Sequence, residues 1–332
     1  MQVKTNVLPA PTWRYIGVNY DTIEQLEKFR QGNIMAKCSD PAVKAIAPEK
    51  IAESDASANC GYMIDTAELS GTLRIEYFSD GGDLADYSII TAREGTDAMA
   101  VFTCGGDVHF HNGLTRIIAE KNSRLTLIKI HGFARSEQAV DSILANVGEN
   151  AELNIISLEL GGAHSLTNYQ IELDGEASRA FIDSACLAKG REVMDISYRI
   201  NHRGKNSVSS ITCSGALKGQ ARKTFKGTLD FRKGSSGSKG SEIENVTLLD
   251  RGVVSRSVPI ILCTEDDVEG SHAASAGRID EDVLFYITSR GIPMEEARRL
   301  IVFSKIAPVV DKIPFEDLRD GVNIYLENYM CD

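Results

Sequence analysis

The stretch from Glu265 to Ile292, EDDVEGSHAASAGRIDEDVLFYITSRGI, contains the residues whose types and spacing most strongly suggest chemistry. It places a single histidine, His272, among serine, alanine and glycine residues, whose small side chains leave room for a ligand to approach the imidazole. Histidine is the commonest metal ligand near neutral pH. An isolated histidine is more often a hydrogen-bonded residue that caps a neighbouring helix, so the sequence leaves both interpretations open here.

The residues after His272 are typical of an amphipathic helix that binds a partner. The acidic turn at 280–282 precedes an apolar run at 283–287, which has the spacing of a helix that buries one face. These apolar side chains cannot all enter one narrow core, and exposed aromatic residues on a helix commonly anchor interfaces. The alternative is that they cap the end of the fold. The predicted partner-binding residues are Phe285, Tyr286, Ile287, Arg290 and Ile292.

Other metal-binding patterns in the sequence are weaker. His109 and His111 are two residues apart, so on a strand they would share one face, but no third ligand lies close by in sequence. Seven cysteines are dispersed without a Cys-x-x-Cys pair, which argues against a disulfide framework and against a zinc or ferredoxin site local in sequence. Taken singly, each cysteine is expected to be a small buried hydrophobe. A cluster site would have to be assembled from distant positions or shared between two chains.

Composition places the chain among ordinary globular proteins and excludes several functions. The 332 residues are 42% hydrophobic and 25% charged, and the net charge of -11 argues against nucleic-acid binding. The basic stretch from Lys218 to Lys239 alternates with apolar residues and is interpreted as solvated strand faces. We recognise no signal peptide and no membrane-spanning apolar run, so we expect a cytoplasmic protein that does not enter a membrane. No Walker A, Rossmann, metalloprotease or serine-hydrolase motif is present, which weakly supports a non-enzyme.

The coarse order of elements is helical or irregular, then mostly strands, then helical. Helices are predicted at Thr22–Arg30 and Pro41–Asp55, and again after Pro293 and after Pro314. From about residue 70, strand-like runs follow one another. Equivalent apolar centres recur at intervals of roughly 11 to 15 residues, at Ile156, Ile171, Ile182, Ile196, Ile211 and Phe225. A sandwich or barrel and a solenoid both fit this pattern, and the scarcity of hairpin signals slightly favours the solenoid.

Several ordered motifs extend over most of the chain and together resemble one protein family. They are Pro11-Thr12-Trp13, Leu173-Asp174-Gly175, Asp195, His202, Phe225-Lys226-Gly227, Pro259-Ile260-Ile261, Asp266-Asp267-Val268, His272-Ala273-Ala274-Ser275, Ile279-Asp280-Glu281-Asp282, Leu284-Phe285-Tyr286 and Ser289-Arg290-Gly291-Ile292. This pattern resembles the SufB/SufD family, the scaffold subunits of the SUF iron–sulfur cluster assembly system. The resemblance is nearer to the short, single-type (SmsB-like) members than to the long B-type subunit.

The resemblance implies a mainly β fold with a right-handed parallel β-helix, or solenoid, as its core. The regions it implies are an N-terminal helical or irregular region at 1–65, the β-helix at 66–264 and a C-terminal helical region for ATPase docking at 265–332. The implied function is a scaffold for de novo iron–sulfur cluster assembly, without catalysis of its own because a partner ATPase hydrolyses ATP. The implied cofactor is a transient iron–sulfur cluster, and the involvement of a flavin stays open.

The same resemblance assigns the cluster site to the region around His272, which is the best match to the family's site residue. Cys263, at the end of the preceding strand, is a second expected ligand. The chain departs from the family where B-type subunits carry a functional cysteine, because that position falls near Glu244. Glu244, Glu265 and Glu269 are the substitute ligands expected from the sequence. Thiolate on iron with imidazole or carboxylate would form a labile shell, which suits a scaffold that must release its cluster.

The partners implied by the resemblance are proteins. A SufC-type ABC ATPase would bind the C-terminal helices, and a second copy or a SufB/SufD paralogue would pair through edge strands near residues 245–275. Apo iron–sulfur proteins would receive the cluster. Two alternatives stay open. The first is a structural solenoid that binds a partner without metal chemistry, and the second is a β-helix carbohydrate-active enzyme, which the free cysteines disfavour.

Overall fold

The computed structural model of the protein describes residues 2–12, 14–24, 30, 32–46 and 58–331. Most of these residues lie in strands. The first ten are β1 Gln2–Thr5, β2 Asp21–Glu24, β3 Asn33–Cys38, β4 Lys44–Ala45, β5 Tyr62–Asp65, β6 Leu73–Asp80, β7 Leu84–Ala92, β8 Asp97–Ala119, β9 Arg124–Val147 and β10 Glu152–Leu160. The next nine are β11 His164–Leu173, β12 Arg179–Ala188, β13 Val193–His202, β14 Val208–Leu217, β15 Arg222–Phe231, β16 Ser238–Leu248, β17 Val254–Ser257, β18 Ile260–Cys263 and β19 Val268–Arg278. The described α-helices are α1 Glu281–Ser289, α2 Met294–Val310 and α3 Glu316–Cys331.

The strands from β5 onward wind into a parallel solenoid of two facing sheets, which confirms the predicted β-helix. Each strand pairs with the strands one coil before and one coil after it: Glu152 of β10 pairs with Arg179 of β12, and Arg179 pairs in turn with Val208 of β14. One coil therefore takes about 29 residues. The first sheet consists of β6, the first halves of β8 and β9, β10, β12, β14, β16 and β19. The second sheet consists of β5, β7, the second halves of β8 and β9, β11, β13, β15, β17 and β18.

A column of residues in the left-handed backbone conformation turns the chain at one corner of successive coils. Asn122, Asn150 and Asn206 have φ values of 57°, 52° and 55°, and Ala177 has 56°. Asparagine tolerates this conformation better than most residues that carry a Cβ atom. The Asn150 side chain donates a hydrogen bond to the Asn122 Oδ1 at 2.8 Å, which links adjacent coils. These corners set where each strand begins, and therefore they set the register between coils.

The inward side chains of the two sheets form the main hydrophobic core. Tyr169 and Tyr198 stack in adjacent coils with their ring centroids 5.1 Å apart, and both are fully buried. Five of the predicted apolar centres lie in this core, namely Ile171, Ile182, Ile196, Ile211 and Phe225. The sixth, Ile156, faces outward, because side chains alternate along a strand and its neighbour Ile155 takes the inward position.

Two C-terminal helices cover the outer face of the first sheet. α2 and α3 pack their apolar sides on outward residues of that sheet such as Leu158. The Tyr329 hydroxyl, near the end of α3, lies 3.1 and 2.9 Å from carbonyl oxygens of β12 and β14. The helices predicted after Pro293 and Pro314 are thus confirmed. Among the helices described, none combines the length and the apolar character needed to span a lipid bilayer.

The described N-terminal residues form strands where the sequence predicted helices. β1 and β2 pair antiparallel, so the helix predicted at Thr22–Arg30 is wrong at its described start. Residues 41–45 likewise form a turn and the short strand β4, not the start of the helix predicted at Pro41–Asp55. The parts of these predictions at 25–29 and 47–55 lie outside the described residues. Pairing and packing at the surface of the solenoid override the local helix propensity.

The basic stretch predicted as solvated strand faces contains two buried lysines, so that prediction is wrong for them. Lys226 projects outward from β15 beneath the N-terminal segment, and its Nζ lies 2.7 Å from the Asp195 carboxylate. Lys223 projects inward from the same strand and forms an ion pair with Glu244 of β16. A buried lysine is tolerated when a carboxylate compensates its charge, and a linear pattern does not reveal a partner on another strand.

Replacing Ile182 by alanine should lower the free energy of unfolding by about 2–5 kcal/mol, because the shortened side chain leaves a cavity in the interior. The matched control is Ile118→Ala, since Ile118 is 49% exposed on β8. The control should cost less than about 1 kcal/mol. Urea unfolding of both variants measures the difference, and equal losses would contradict the placement of the core.

Candidate functional site

The last coil of the solenoid, with β18 and β19, is left uncovered by any described coil, and we call it the open end. β19 pairs in parallel with β16 from Val268 to Arg278, and no other pairing of β19 is formed within the described residues. Its residues from Glu269 onward are all exposed. An edge strand of this kind presents unpaired backbone N–H and C=O groups that another strand can bind.

His272 lies in the middle of this edge strand and does not cap α1, whose N-cap is Asp280. It is in register with Glu242 of β16, so the two residues are direct neighbours in adjacent coils. Glu242 projects into the interior, and the shared register gives His272 the same inward direction at the open end. An exposed imidazole therefore lies directly beyond a buried carboxylate.

Glu242 is a candidate site residue that the sequence analysis missed. Its side chain lies against Gly227 of β15, where a Cβ atom would overlap the carboxylate. Only 2% of Glu242 is exposed, and its Oε2 has no hydrogen-bond partner within the described residues. Burial raises the pKa of this carboxyl group from 4.5 to about 7. The signal that could have revealed it is spacing, because Glu242 precedes His272 by one coil.

Glu244, which the sequence offered as a metal ligand, is held inside the solenoid by two neighbours. Its carboxylate forms an ion pair with the Lys223 Nζ and accepts a hydrogen bond from the Ser257 Oγ. It is 1% exposed, and it is in register with Cys213 on one side and Ala274 on the other. The carboxylate is thus already engaged, one coil behind the exposed edge strand.

Cys263 ends β18 and is exposed, contrary to the expectation that each cysteine would be buried. It is in register with the interior residue Phe231, so it points to the inner side of the last coil, as His272 does. The Sγ lies 3.0 Å from the carbonyl oxygen of Glu265, in the turn that joins β18 to β19. The Glu265 carboxylate accepts hydrogen bonds from the backbone N–H groups of Gly234 and residue 266, at 2.8 and 3.1 Å. Glu265 therefore holds the turn that connects the strands of Cys263 and His272.

Glu269 points away from the interior. It lies on the outward side of β19 and forms an ion pair with Lys239 at 2.8 Å. Both side chains are exposed, at 74% and 59%, so the solvent screens this pair strongly. Of the residues predicted to bind a cluster, the fold brings Cys263 and His272 to the inner side of the open end, with Glu244 one coil behind them.

Two interior cysteines lie farther from the open end than Glu244. Cys186 and Cys213 lie in adjacent coils and are fully buried, as expected. A hydrogen bond with Cys186, together with the charge of Lys223, lowers the pKa of the Cys213 thiol. The same hydrogen bond and burial raise the pKa of Cys186 well above its usual value. The more acidic of the two thiols therefore lies in register with Glu244, one coil behind it.

Within the described residues of one chain, no three histidine, cysteine or acidic side chains are grouped so that they could hold a metal ion. The pair considered from the sequence, His109 and His111, is engaged by two different carboxylates. His109 Nδ1 lies 3.0 Å from Asp83, and His111 Nε2 lies 2.8 Å from Asp86. Each imidazole is thus oriented by its own aspartate.

The helix α1 exposes most of the residues predicted to bind a partner. Phe285 and Tyr286 are 74% and 59% exposed, and the Arg290 guanidinium lies 5.0 Å from the centre of the Tyr286 ring. Ile287 and Ile292 are half-buried. A contiguous exposed patch of aromatic and aliphatic side chains is typical of an interaction surface.

The raised pKa of Glu242 predicts a pH-dependent contribution to stability. The folded protein holds this proton more tightly than the unfolded chain, so the stabilisation is complete below pH 4.5 and is lost as the pH rises through about 7. Relative to Glu242→Gln, the wild type should therefore lose on the order of 2 to 3 kcal/mol between pH 5 and pH 8. Denaturant unfolding at the two pH values measures this difference. Exposed Glu269→Gln is the control and should show no such trend; a flat difference for Glu242→Gln would contradict the burial of its carboxyl group.

Comparison with known proteins identifies the family. A family profile described as "SUF system FeS cluster assembly, SufBD core domain" matches residues 78–305, well over half of the chain. The iron–sulfur cluster assembly protein SufD of Bacillus subtilis is 34% identical over 147 residues, which are 44% of this chain and 34% of the relative.

Two further relatives match over a longer part of this chain. Iron–sulfur cluster assembly SufBD family proteins of Staphylococcus epidermidis and Mycobacterium leprae are 24% identical over 233 residues, or 69% of this chain. These matches cover 50% and 27% of the two relatives, so the chain spans at most about half the length of the relatives it matches. The region matched by the family profile contains the solenoid from β7 onward and the open end with His272, and the chain belongs to the SufB/SufD family of iron–sulfur cluster assembly proteins.

Proposed function

We propose that the protein is a scaffold on which iron–sulfur clusters are assembled before transfer to apo proteins, and that the nascent cluster binds at the open end. The observation that carries this proposal is the exposed His272 on an edge strand, in register with the buried Glu242. Membership of an iron–sulfur cluster assembly family supports the chemistry. The cluster is cargo in this account, and its ligands need only hold it transiently.

The groups at the open end suit a cluster that is first held and then released. The Cys263 thiolate would bind iron, and the His272 imidazole and a carboxylate would complete a labile shell. Glu242 is the carboxylate nearest in register to His272. Glu244 and Glu265 would first have to give up their present contacts, and Glu269 would have to turn inward from its pair with Lys239.

A second copy of the chain, or a SufB/SufD paralogue, would complete the site by pairing with β19. Edge strands that avoid pairing commonly carry lysine or proline, and β19, VEGSHAASAGR, has neither. Its glycine, serine and alanine side chains allow another backbone to approach closely. Such pairing would place the partner's side chains opposite His272 and would cover the open end.

A SufC-type ABC ATPase would bind the exposed face of α1 through Phe285, Tyr286 and Arg290. The half-buried Ile287 and Ile292 would lie at the edge of the same contact surface. ATP-driven closure of two ATPase subunits would strain the paired ends and expose the cluster site. Hydrolysis belongs to the ATPase, so this chain is proposed to be no enzyme itself. Action in the cytoplasm and the division into regions 1–65, 66–264 and 265–332 belong to the same proposal. The solenoid strands β5 and β19 extend beyond the bounds 66–264.

Replacing His272 by alanine should weaken cluster binding, because it removes one iron ligand. The chain is co-purified with the SufC-type ATPase of its own genome and reconstituted anaerobically with iron and sulfide. The cluster absorption band should fall several-fold in His272→Ala at equal protein concentration, in line with the roughly 10-fold or larger effects of altered metal ligation. The control is Ser271→Ala, an outward neighbour on β19, which should keep the wild-type band. A stable complex that never holds iron would support the alternative of a purely structural subunit and would contradict the proposed site.

The double replacement Phe285→Ala and Tyr286→Ala should weaken binding of the ATPase by about tenfold or more, because buried aromatic anchors dominate such interfaces. Titration calorimetry with the purified ATPase measures the affinity. Ile324→Ala is the control, since Ile324 is 59% exposed on α3 and lies outside the proposed face. Unchanged affinity of the double variant would show that the ATPase binds elsewhere.

A further inference from the structure

A polar pocket lies between the N-terminal segment and the outer face of the second sheet. Its volume is about 250 Å³. One wall is the chain from Lys4 to Pro9, and the other wall consists of outward side chains of β11, β13 and β15. The polar residues on the second wall are Asn168, Gln170, Ser197, Arg199 and Thr228.

The pocket has two positive charges and, among the described residues that line it, no carboxylate. Arg199 lies in register between Gln170 and Thr228, so its guanidinium has amide and hydroxyl neighbours. Neither Lys4 nor Arg199 forms an ion pair within the described residues, and the Lys4 Nζ lies 4.2 Å from the centre of the Tyr20 ring. Two cations without an ion-pair partner among the described residues thus line the same pocket, in a chain whose net charge is -11.

The N-terminal wall of the pocket is fixed by buried polar contacts. Asn6 is 2% exposed, and its side-chain Nδ2 lies 3.2 Å from the Thr167 carbonyl oxygen and 2.8 Å from the Asp195 Oδ1. The Lys226 Nζ donates hydrogen bonds to the Asn6 carbonyl oxygen at 3.0 Å and to the Asp195 Oδ2 at 2.7 Å. Lys226 thereby compensates the Asp195 charge, and the wall is positioned before any ligand binds.

We propose that this pocket binds a small molecule through a phosphate or pyrophosphate group. The planar fork of Arg199 matches two phosphate oxygens, Lys4 adds a point charge, and the amides and hydroxyls donate the remaining hydrogen bonds. The pocket is smaller than typical sites for whole cofactors, which start at about 300 Å³, so it suits the phosphate part of a ligand. It lies on the outer face of the solenoid and is therefore distinct from the open end.

Titration calorimetry of the full chain with inorganic pyrophosphate, in a buffer of low ionic strength, tests this site without the ATPase or a cluster. The wild type should bind, and Arg199→Gln should bind about tenfold or more weakly. Lys4→Gln should weaken binding several-fold. The control is Arg179→Gln, which makes the same charge change on β12 of the other sheet and should bind like the wild type. Arg199→Lys keeps the charge and loses the fork, so it should give intermediate affinity even if Arg199→Gln folds poorly.

Two further ligands separate the sources of the phosphate group. Inorganic phosphate and AMP present the same anionic oxygens, and AMP adds a nucleoside. If phosphate and AMP bind with equal affinity and Arg199→Gln binds neither, the site recognises the anion itself. If AMP binds more tightly than phosphate and Arg199→Gln again abolishes binding, the ligand is a phosphorylated small molecule. Absence of pyrophosphate binding by the wild type, or wild-type affinity in Arg199→Gln, would overturn the proposal.

Discussion

Parallel pairing between successive coils is the interaction on which the rest of the structure depends. Because each residue lies beside its counterpart one coil away, every inward position belongs to a column that continues along the solenoid. Left-handed corner residues such as Asn150 keep this register from drifting. The register alone explains why His272, thirty positions from Glu242 in the chain, becomes its direct neighbour. The open end is therefore the last step of a column that starts deep in the core.

The column of inward residues that leads to Glu242 changes from apolar to polar toward the open end. In the preceding coils this column is apolar, with Ile155, Ile182 and Ile211 in register behind Glu242. At Glu242, whose Oε2 has no hydrogen-bond partner among the described residues, the column becomes polar, and the ion pair of Lys223 and Glu244 lies beside it. A buried carboxyl group costs stability relative to an apolar side chain, so we interpret the placement of Glu242 beside an exposed imidazole as serving chemistry. The proposed cluster site therefore lies where this column ends in Glu242 and His272.

The features that the sequence predicted are those with a local or periodic signal. Apolar centres such as Ile182 recur along the chain because each strand buries alternate residues, and the helices after Pro293 and Pro314 begin at proline and acidic residues. Features that depend on contacts between coils were missed. Glu242 could be placed beside His272 only once the coil length was known, and Lys223 was interpreted as solvated because its partner lies on another strand. The strand at Thr22 depends on pairing with β1, which the helical spacing of the residues conceals.

Pulsed electron paramagnetic resonance of the reconstituted, reduced complex tests the central claim most directly. The chain contains six histidines, which are labelled with ¹⁵N in the imidazole ring while the ATPase is left unlabelled. The account predicts a strong ¹⁵N hyperfine coupling from a directly bound histidine. This coupling should disappear in the single variant His272→Ala. A paramagnetic cluster that shows only the weak couplings of backbone nitrogen atoms would contradict the assignment of the cluster to the open end.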